Sequence, residues 1–325
     1  MKISVVMAVY NGADYLEQSV NSILAQTYGN FEFIIVDDGS TDGTWEILSG
    51  ITDTRIRKYR LPANCGTPIA LNIAVEEAEG EWIAIQDADD ISLPDRLTVQ
   101  ADYIREHPEL IVVGSRISCI GESGIDPARL RRVESNLNYG LSRDELYRNR
   151  YFVCALCHGT ALYSRARFFR AGGYDSVYRI THDYDLWLKL FQLGPIEKID
   201  RVLYRYRVHS GSLSHHDGMA TYTEKLSCGI RRLRQFEYGH RTGPIRVIVF
   251  ANKGLIQMMA NNVVPHCPVQ VRSYYENQLH ADTAWSLFNR GEVDGIILLQ
   301  NPDRKALADY FQNKGMVINQ HLFQL

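Results

Sequence analysis

One stretch of this chain decides its fold: it reads EWIAIQDADD and covers residues 81–90. A short apolar run is followed there by three carboxylates within four residues, Asp87, Asp89 and Asp90. A short apolar run with polar boundaries is typical of a buried strand. Clustered carboxylates at its end favour Mg²⁺ or Mn²⁺, because hard cations prefer oxygen ligands and can bridge to phosphate. The stretch therefore predicts a strand that carries a metal and phosphate site at its carboxyl end.

Strands and helices alternate along the first third of the chain. The predicted strands cover 3–9, 31–36, 55–60, 82–85 and 110–114. The first predicted helix follows the turn at 11–12 and ends near 29, and further helices cover 44–48, 68–78 and a segment that opens near 94. This alternation predicts an α/β fold with a mainly parallel, doubly wound sheet. Ligands of such sheets bind beyond the carboxyl ends of the strands. Because Tyr10, Asp38 and Asp87 all directly follow strands, we expect them to lie at one edge.

The rest of the chain is less regular. Residues 115–150 predict loops and a short helix, 152–163 a strand, and 181–193 a helix. After about residue 220 the predicted strands cover 246–251, 269–274, 295–299 and 316–319, with helices at 255–261, 282–289 and 303–312 between them. This pattern indicates a small C-terminal α/β appendage.

Composition and charge narrow the class of protein. The 325 residues carry 35 basic and 38 acidic side chains, a formal net charge of -3, which gives no electrostatic reason to expect a nucleic-acid partner. The N-terminal apolar run at 3–9 is too short for a signal peptide, and no stretch approaches the roughly 20 apolar residues of a membrane span. We therefore expect a globular protein in the cytoplasm.

Several short motifs occur in a defined order. The first group is VYN at 9–11, VDDGS at 36–40, NCG at 64–66, DADD at 87–90 and PDRL at 94–97. The second group is HGT at 158–160, HDYDL at 182–186 and YRVHSGS at 206–212. In their order and approximate spacing over residues 1 to about 215, these motifs resemble the donor and acceptor halves of glycosyltransferase family 2.

The resemblance implies a GT-A (Rossmann-like) nucleotide-sugar-binding domain. It assigns 1–114 to a donor-binding half and 115–220 to an acceptor half. Residues 221–243 then form a helix and linker, and 244–325 form the appendage, whose role the resemblance does not cover.

The resemblance also implies a reaction. A metal-dependent, inverting enzyme of this kind moves a hexosyl or N-acetylhexosaminyl group from a nucleotide diphosphate donor, here expected to be a UDP-sugar. The acceptor is a hydroxyl of a saccharide or lipid-linked saccharide, in surface polysaccharide or glycolipid synthesis. Peripheral association with the inner face of the membrane and a homo-oligomer are both compatible with this class.

The resemblance gives roles to the aspartates of the DxD pattern. Asp89 is expected to bind Mn²⁺ or Mg²⁺ directly, and Asp87 to reach the ribose or the metal shell. Asp90 is expected to be structural. The alternative is that these residues form a solvated acidic turn that caps the following helix.

Further donor-binding residues follow from the same resemblance. They are Val9, Tyr10, Asp38, Asn64, Gly66, Ala88, Arg205 and Arg207. Asp38 is expected to accept a hydrogen bond from the uracil and Tyr10 to place its ring against the base, although residues 37–40 could equally form an ordinary turn. Asn64 and Gly66 precede a helix whose N-terminus could face the diphosphate.

The late motif is expected to supply positive charge. Relatives often carry Arg or Lys early in the helix after Gly66, but this chain has Ile69 and Leu71 there. Arg205 and Arg207 are therefore expected to neutralise the diphosphate. His209 is a candidate metal ligand or a plain polar contact, and Ser210, Ser212 and Ser214 are expected to shape the loop.

Asp183 is the candidate general base, because a carboxylate near a helix start could reach the acceptor hydroxyl. Relatives usually carry Glu-Asp here, whereas this chain has His182-Asp183. The alternative is that Asp183 only favours the helix dipole. His158, Thr160, His182 and Trp187 are the candidate acceptor-side residues, and Trp187 could instead belong to the core because it is spaced helically with Leu190.

Three other classes of protein share features with this sequence. A sugar-1-phosphate nucleotidyltransferase needs a glycine-rich, basic loop after its first strand, which residues 10–14 do not offer. A dinucleotide oxidoreductase needs a G-x-G-x-x-G sequence that is missing from the same turn. A nucleotide-sugar-binding or scaffold protein without catalysis stays open, because His182 replaces the residue that normally supports the base.

Overall fold

The computed structural model describes residues 1–122, 124–209, 211 and 218–325. The chain divides into two compact units. The first unit covers Met1–Tyr147 and Cys154–His216, and the second covers Arg148–Val153 and Asp217–Leu325. Residues 148–153 thus group with the C-terminal part of the chain, far from their place in the sequence.

The first unit is built on one eight-stranded sheet. Its strands are β1 (Ile3–Val9), β2 (Phe31–Asp37), β3 (Ile56–Arg60), β4 (Trp82–Ile85), β5 (Ile91–Ser92), β6 (Val112–Gly121), β7 (Leu162–Ser164) and β8 (Ile196–Val208). Its helices are α1 (Ala13–Leu24), α2 (Thr44–Gly50), α3 (Thr67–Glu76), α4 (Arg96–Glu106), α5 (Pro127–Leu137), α6 (Arg143–Arg148), α7 (Arg165–Ala171) and α8 (His182–Leu190). The last residue of α6 is the first of the second unit.

The sheet is mainly parallel, as the sequence predicts. Its strand order is β3-β2-β1-β4-β7-β6-β8-β5. β7 runs antiparallel to both of its neighbours, and β5 runs antiparallel to β8. The antiparallel β7 matters for the site, because the residues that precede it lie beside the residues that follow β4.

Apolar side chains cover both faces of the central strands. Val6, Ile34 and Ile83 belong to one core cluster, and their neighbours Val5, Phe33 and Ala84 belong to the other. Side chains alternate between the two faces of a strand, so a continuous apolar run is what a sheet covered on both sides requires. Helices α3 and α8 pack on the first face, and α1 and α4 pack on the second.

The strand predicted for residues 152–163 is wrong. This segment forms turns and a 3₁₀ helix at His158–Thr160, and only β7 at its end is a strand. Ala155, Leu156 and Cys157 are nevertheless buried. The apolar pattern therefore correctly indicated that the segment is buried. Periodicity alone cannot distinguish a buried segment of another kind from a short buried strand. The strand predicted for 110–114 begins at Val112 and continues through the polar region to Gly121.

The second unit has a smaller sheet, in agreement with the predicted α/β appendage. Its strands are β9 (Ile245–Phe250), β10 (Val269–Tyr275), β11 (Gly295–Leu298) and β12 (Leu322–Gln324), and its helices are α9 (Gly218–Phe236), α10 (Lys253–Met258), α11 (Ala281–Asn289) and α12 (Arg304–Asn313). The order is β10-β9-β11-β12, with every pair parallel. The strand predicted at 316–319 is wrong, because Asn319 adopts a φ of 63° that breaks an extended backbone.

Candidate active site

The predicted donor residues lie at the carboxyl ends of β1, β2 and β4. Val9 is buried, and its carbonyl accepts a hydrogen bond of 2.8 Å from the Asp38 backbone N–H. The ring of Tyr10, the next residue, is 48% exposed at the same edge. Ala88, beyond the end of β4, is half-buried. An exposed aromatic residue thus follows directly after a buried, hydrogen-bonded backbone at this edge.

Asp38 holds the loop in front of α3. Its two carboxylate oxygens accept hydrogen bonds of 2.8 Å each from the backbone N–H groups of Cys65 and Gly66. Gly66 has a φ of 98°, a conformation that favours glycine. Asn64, by contrast, is exposed. A carboxylate oxygen has more than one acceptor position, so these bonds do not use every acceptor position of Asp38, which is 2% exposed.

A cleft of about 470 Å³ opens beside this loop, lined by residues 39–41 and 60–62. Arg60 lies in its wall, where the guanidinium is 3.2 Å from Asp37 and donates to the Ser40 carbonyl at 3.1 Å. Asp37 also accepts a bond of 3.0 Å from the Ser40 backbone N–H. Arg60 is not among the residues predicted from the sequence, although a basic residue at the end of the predicted strand 55–60 was a signal that could have found it.

Asp87 lies beside His158. The Nδ1 atom of His158 is 3.3 Å from Asp87 Oδ1, and its Nε2 atom is 3.0 Å from the Tyr174 hydroxyl. Burial by itself lowers the pKa of His158, but the Asp87 carboxylate outweighs burial and the pKa is raised. Burial likewise raises the pKa of Asp87, but His158 reverses the direction and the pKa is lowered. The two side chains therefore form a half-buried ion pair.

Asp89 lies beside His209. The Nε2 atom of His209 is 2.8 Å from Asp89 Oδ2, and this hydrogen bond raises the pKa of His209. The ring of Tyr15 is 5.0 Å from the His209 ring, and its hydroxyl donates to Glu122. Among the described residues, no group of three or more His, Cys, Asp or Glu side chains is arranged to hold a metal ion. The structure thus brings Asp89 and His209 together and leaves Asp87 with His158.

Arg207 donates hydrogen bonds to the residues that follow β4. Its backbone N–H donates to Asp90 Oδ1 at 2.6 Å, and its Nε donates to the Asp89 carbonyl at 2.7 Å. Its guanidinium also lies over the Tyr15 ring at 4.5 Å. Asp90 is 1% exposed, and burial raises its pKa well above the usual range. Arg205 is exposed, and its backbone pairs with Ile91 of β5.

Two residues beneath this loop were not selected from the sequence. The Tyr204 hydroxyl accepts a hydrogen bond of 3.2 Å from the Asp87 backbone N–H. Arg96 lies over the Tyr204 ring at 5.2 Å and donates to Ser92 Oγ at 2.9 Å. Arg96 is completely buried, and burial lowers its pKa to about 10. The PDRL motif contains Arg96, but only the fold shows that it supports the loop from below.

Asp183 stands in the first turn of α8. Its Oδ1 atom accepts a hydrogen bond of 2.6 Å from the Tyr184 backbone N–H, and its Oδ2 atom accepts one of 3.4 Å from the Cys154 thiol. The ring of His182 meets that of His158 edge-on at 5.3 Å. Burial, together with the charge on His158, lowers the pKa of His182. His182 therefore links α8, which carries Asp183, to His158, which pairs with Asp87.

The other candidate acceptor-side residues are buried. Thr160 is 0% exposed, and its hydroxyl donates to the Cys157 carbonyl at 2.8 Å. Trp187 is 1% exposed and packs in the core near Tyr163. The structure thus has Trp187 in the packing position that the sequence left as an alternative. Ser210, Ser212 and Ser214 lie outside the described residues.

Comparison with known proteins decides the family. The sequence profile described as Glycosyl transferase family 2 matches residues 4–171, which is more than half of the chain. This chain belongs to glycosyltransferase family 2. An uncharacterized glycosyltransferase of Rickettsia conorii is 33% identical over 213 residues, which make up 64% of this chain and 34% of that protein. The chain therefore matches only about a third of the length of this family member.

Solved structures show the same GT-A fold. TarS of S. aureus, residues 1–349 in complex with UDP-GlcNAc, matches with a TM-score of 0.59 at 23% identity, over 74% of this chain and 69% of that chain. The mannosyltransferase PcManGT of Pyrobaculum calidifontis, in complex with GDP-Man and Mn²⁺, matches with a TM-score of 0.53 at 18% identity, over 98% of this chain and 81% of that chain. The family 2 assignment thus rests on sequence, and these two structures support its fold.

Proposed function

We propose that this family 2 glycosyltransferase transfers a sugar from a UDP-sugar to an acceptor hydroxyl with inversion, using Mn²⁺ or Mg²⁺. The observation that carries the proposal is the arrangement of side chains at the carboxyl edge of the sheet. Asp38 follows β2, and Asp87 and Asp89 follow β4, next to β1 in the sheet. Asp183 stands on the helix whose first residue meets His158, the partner of Asp87. Donor-binding and proton-accepting groups are therefore close in the fold.

The residues present suit a divalent cation that takes few ligands from the protein. Asp89 offers a carboxylate oxygen and His209 an imidazole nitrogen, 2.8 Å apart, and Mn²⁺ accepts both kinds of ligand. Mg²⁺ and related ions at phosphate sites are commonly held by one or two protein groups, with phosphate oxygens and water completing the shell. Asp89 and His209 would therefore hold the ion. The ion would stabilise the negative charge of a leaving diphosphate.

Asp87 and Asp38 would bind the other parts of the donor. Asp87 is ionised in the ion pair with His158, so it can accept a hydrogen bond from a ribose hydroxyl. Asp38 lies beside the cleft of about 470 Å³ at residues 39–41 and 60–62, a volume in the range of small-molecule sites. We assign this cleft to the nucleoside base. Asp38 also holds the loop at Gly66 through a hydrogen bond. Its carboxylate would therefore serve two purposes, binding the base and fixing the conformation of that loop.

Asp183 would accept the proton of the attacking hydroxyl. Its Oδ2 atom contacts the thiol of Cys154, a weak donor that an acceptor hydroxyl can displace. His182, which stands where relatives usually carry Glu, is kept neutral by burial and by the charge on His158. Position 182 therefore carries no carboxylate that could compete with Asp183 for the proton. Direct attack opposite the leaving diphosphate would invert the anomeric carbon.

The donor and acceptor classes extend this proposal. The TarS complex contains UDP-GlcNAc, whereas the PcManGT complex contains GDP-Man, so members of this fold class bind different bases. We favour UDP, with a hexosyl or N-acetylhexosaminyl group and a saccharide or lipid-linked saccharide acceptor. No helix in the described parts of the chain is long and apolar enough to cross a lipid bilayer. The proposal includes peripheral association with a membrane that carries the acceptor.

Thermal unfolding with a panel of nucleotide sugars, with and without Mn²⁺, tests the proposal. A ligand that binds only the folded protein raises the melting temperature, by an amount that grows with its concentration relative to Kd. We expect a UDP-sugar to raise the melting temperature, and to do so more strongly with Mn²⁺. If only GDP-sugars raised the melting temperature, the donor nucleotide would be GDP and not UDP. Release of UDP on addition of acceptor separates an enzyme from a protein that only binds the donor.

A further inference from the structure

We propose that the second unit contains a phosphate-binding cleft of its own, formed around Lys225, Arg304 and Lys305. The cleft has a volume of about 460 Å³ and is lined by nine residues of this unit. Three of the nine are basic, and none of the nine, all of which the structure describes, has a carboxylate side chain. A concave surface lined by side chains of one sign of charge raises the local concentration of ions of the opposite sign. The lining therefore favours an anion.

The position of the cleft in the sheet supports a ligand site. The order β10-β9-β11-β12 places β9 between β10 and β11, so the direction of winding reverses between β9 and β11. Ligands of parallel α/β sheets bind beyond the carboxyl ends of the strands at such a reversal. Gln300 and Asn301, directly after β11, line the cleft. Asn252, which follows β9, donates its side-chain amide to the Gln300 carbonyl at 3.3 Å.

Contacts with one aromatic residue fix two of the cations in the wall. The Nζ atom of Lys225 donates to the Phe152 carbonyl at 2.6 Å. The guanidinium of Arg304 lies over the Phe152 ring at 4.1 Å. Residues 148–153 belong to this unit although the rest of it begins near 217. The segment 148–153 thus contributes Phe152, whose backbone carbonyl contacts Lys225 and whose ring contacts Arg304.

Two of the three basic side chains stand where a helix by itself disfavours them. Arg304 and Lys305 are the first residues of α12, a helix of ten residues. The N-terminus of a helix carries partial positive charge, so cations there are unfavourable. A bound anion would reverse this effect and would also meet backbone N–H groups of the first turn, of which that of Arg304 already donates to the Asn301 carbonyl at 3.1 Å. Arginine and lysine side chains are the usual partners of phosphate.

These observations assign the ligand to one chemical class, a phosphate monoester or diphosphate. The volume of about 460 Å³ lies within the range of small-molecule sites. A soluble phosphorylated molecule and a lipid headgroup both present this chemistry. The cleft is assigned from the second unit alone, so the inference does not depend on the donor site of the first unit.

Calorimetric titration of the full chain with pyrophosphate and with glucose 1-phosphate, in the presence of EDTA, tests the inference. We expect binding that Lys305→Gln weakens about tenfold or more, since a hydrogen bond to a charged group is worth about 1.5–3 kcal/mol. Lys314→Gln is the matched control, because Lys314 caps the other end of the same helix and is exposed. Asp89→Ala should leave this binding unchanged. Hydrogen exchange should show protection in residues 300–307.

Two results would overturn the inference. The first is that the wild-type protein binds neither of the two compounds and does not bind to vesicles. The second is that the protein binds the compounds, and that Lys305→Gln leaves this binding intact while Asp89→Ala removes it. Sedimentation with phosphatidylcholine vesicles, with and without phosphatidic acid, separates the two sources of phosphate. Binding only to the acidic vesicles, reduced by Lys305→Gln and not by Lys314→Gln, supports a headgroup as the ligand.

Discussion

The imidazole of His158 lies 3.3 Å from the carboxylate of Asp87, although 71 residues separate them in the chain. The antiparallel pairing of β7 with β4 produces this contact, since Ala84 lies opposite Leu162 and the Ile85 backbone N–H donates to the Ala161 carbonyl. Residues just before β7 are thereby placed next to residues just after β4. The first aspartate of the DxD pattern is thus held by a histidine from the acceptor half.

His158→Phe should weaken donor binding about tenfold or more, because it removes a hydrogen bond between charged groups. The Asp87 carboxylate would lose the partner that orients it, while the aromatic packing of His158 against Tyr174 would remain. Calorimetric titration with UDP and Mn²⁺ measures the change. His158→Gln, which keeps an N–H donor, should lose less affinity than His158→Phe. Equal affinity in all three proteins would show that Asp87 needs no partner for donor binding.

Asp89→Ala should abolish the part of donor affinity that depends on Mn²⁺, as well as sugar transfer. The reason is that Asp89 supplies the carboxylate beside His209, and an imidazole alone is a poor site for a hard cation. The measurement is UDP affinity with and without Mn²⁺. Asp102→Ala, at a site of similar charge on the surface of α4, is the control. If Mn²⁺ still increased UDP affinity in Asp89→Ala, Asp89 would not be a metal ligand.

Asp183→Asn should lower the rate of transfer about 10²-fold or more while donor affinity stays near normal, because an amide cannot accept the proton. Single-turnover transfer and UDP titration measure the two quantities separately. Asp185→Asn is the matched comparison on the same helix turn. Asp185 is 0% exposed and pairs with Lys189 at 2.8 Å, so its loss should reduce the free energy of unfolding instead. If the Asp183→Asn variant transferred sugar at the wild-type rate, the general base would be another residue.

Gly159→Ala should destabilise the protein and weaken donor binding together. A Cβ atom at position 159 would lie 2.1 Å from the Tyr204 hydroxyl and 2.8 Å from Asp87 Oδ2. Tyr204 is completely buried and cannot move aside, and overpacking of a core typically costs about 1–3 kcal/mol. Urea unfolding and UDP titration report the two effects. Gly29→Ala, where a Cβ would meet no atom within 4 Å, should change neither quantity.

The stability of the protein should rise between pH 7 and pH 9 through Lys198. Burial lowers the pKa of Lys198 to about 8, and its ammonium donates to the carbonyls of Leu137 and Tyr139 at the end of α5. The unfolded chain keeps this proton up to a pKa near 10.5. Between the two values the unfolded state binds more protons, so the free energy of unfolding increases with pH.

Urea unfolding at pH 7, 8 and 9 measures this contribution, which should be about 1 kcal/mol over the interval. Lys198→Met lacks the titrating group and should lose that part of the pH dependence. Lys314→Met, which removes an exposed lysine, should behave as the wild type does. An identical pH dependence in wild type and Lys198→Met would mean that Lys198 titrates normally in the folded protein.

The sequence predicted the parallel sheet, because apolar runs such as Ile3–Val9 and Phe31–Asp37 are long enough to report burial on both faces. It failed at residues 152–161, which are turns and a 3₁₀ helix, although β7 begins directly after them. For Trp187 it left both the acceptor pocket and the core open, and the structure has that ring buried in the core. Periodicity reports how apolar a segment is and gives no information on which other segment will cover it.

By itself, the sequence determined that carboxylates follow strands, and therefore that Asp38, Asp87 and Asp89 face one edge of a sheet. Only the tertiary structure decided which side chain meets each of them. His158, His209 and the backbone of Gly66 reach these aspartates through strand pairings and loops between residues far apart in sequence. The physical reason is that strand order and direction follow from how the whole chain buries its apolar surface, whereas the end of a strand is set by a few adjacent residues.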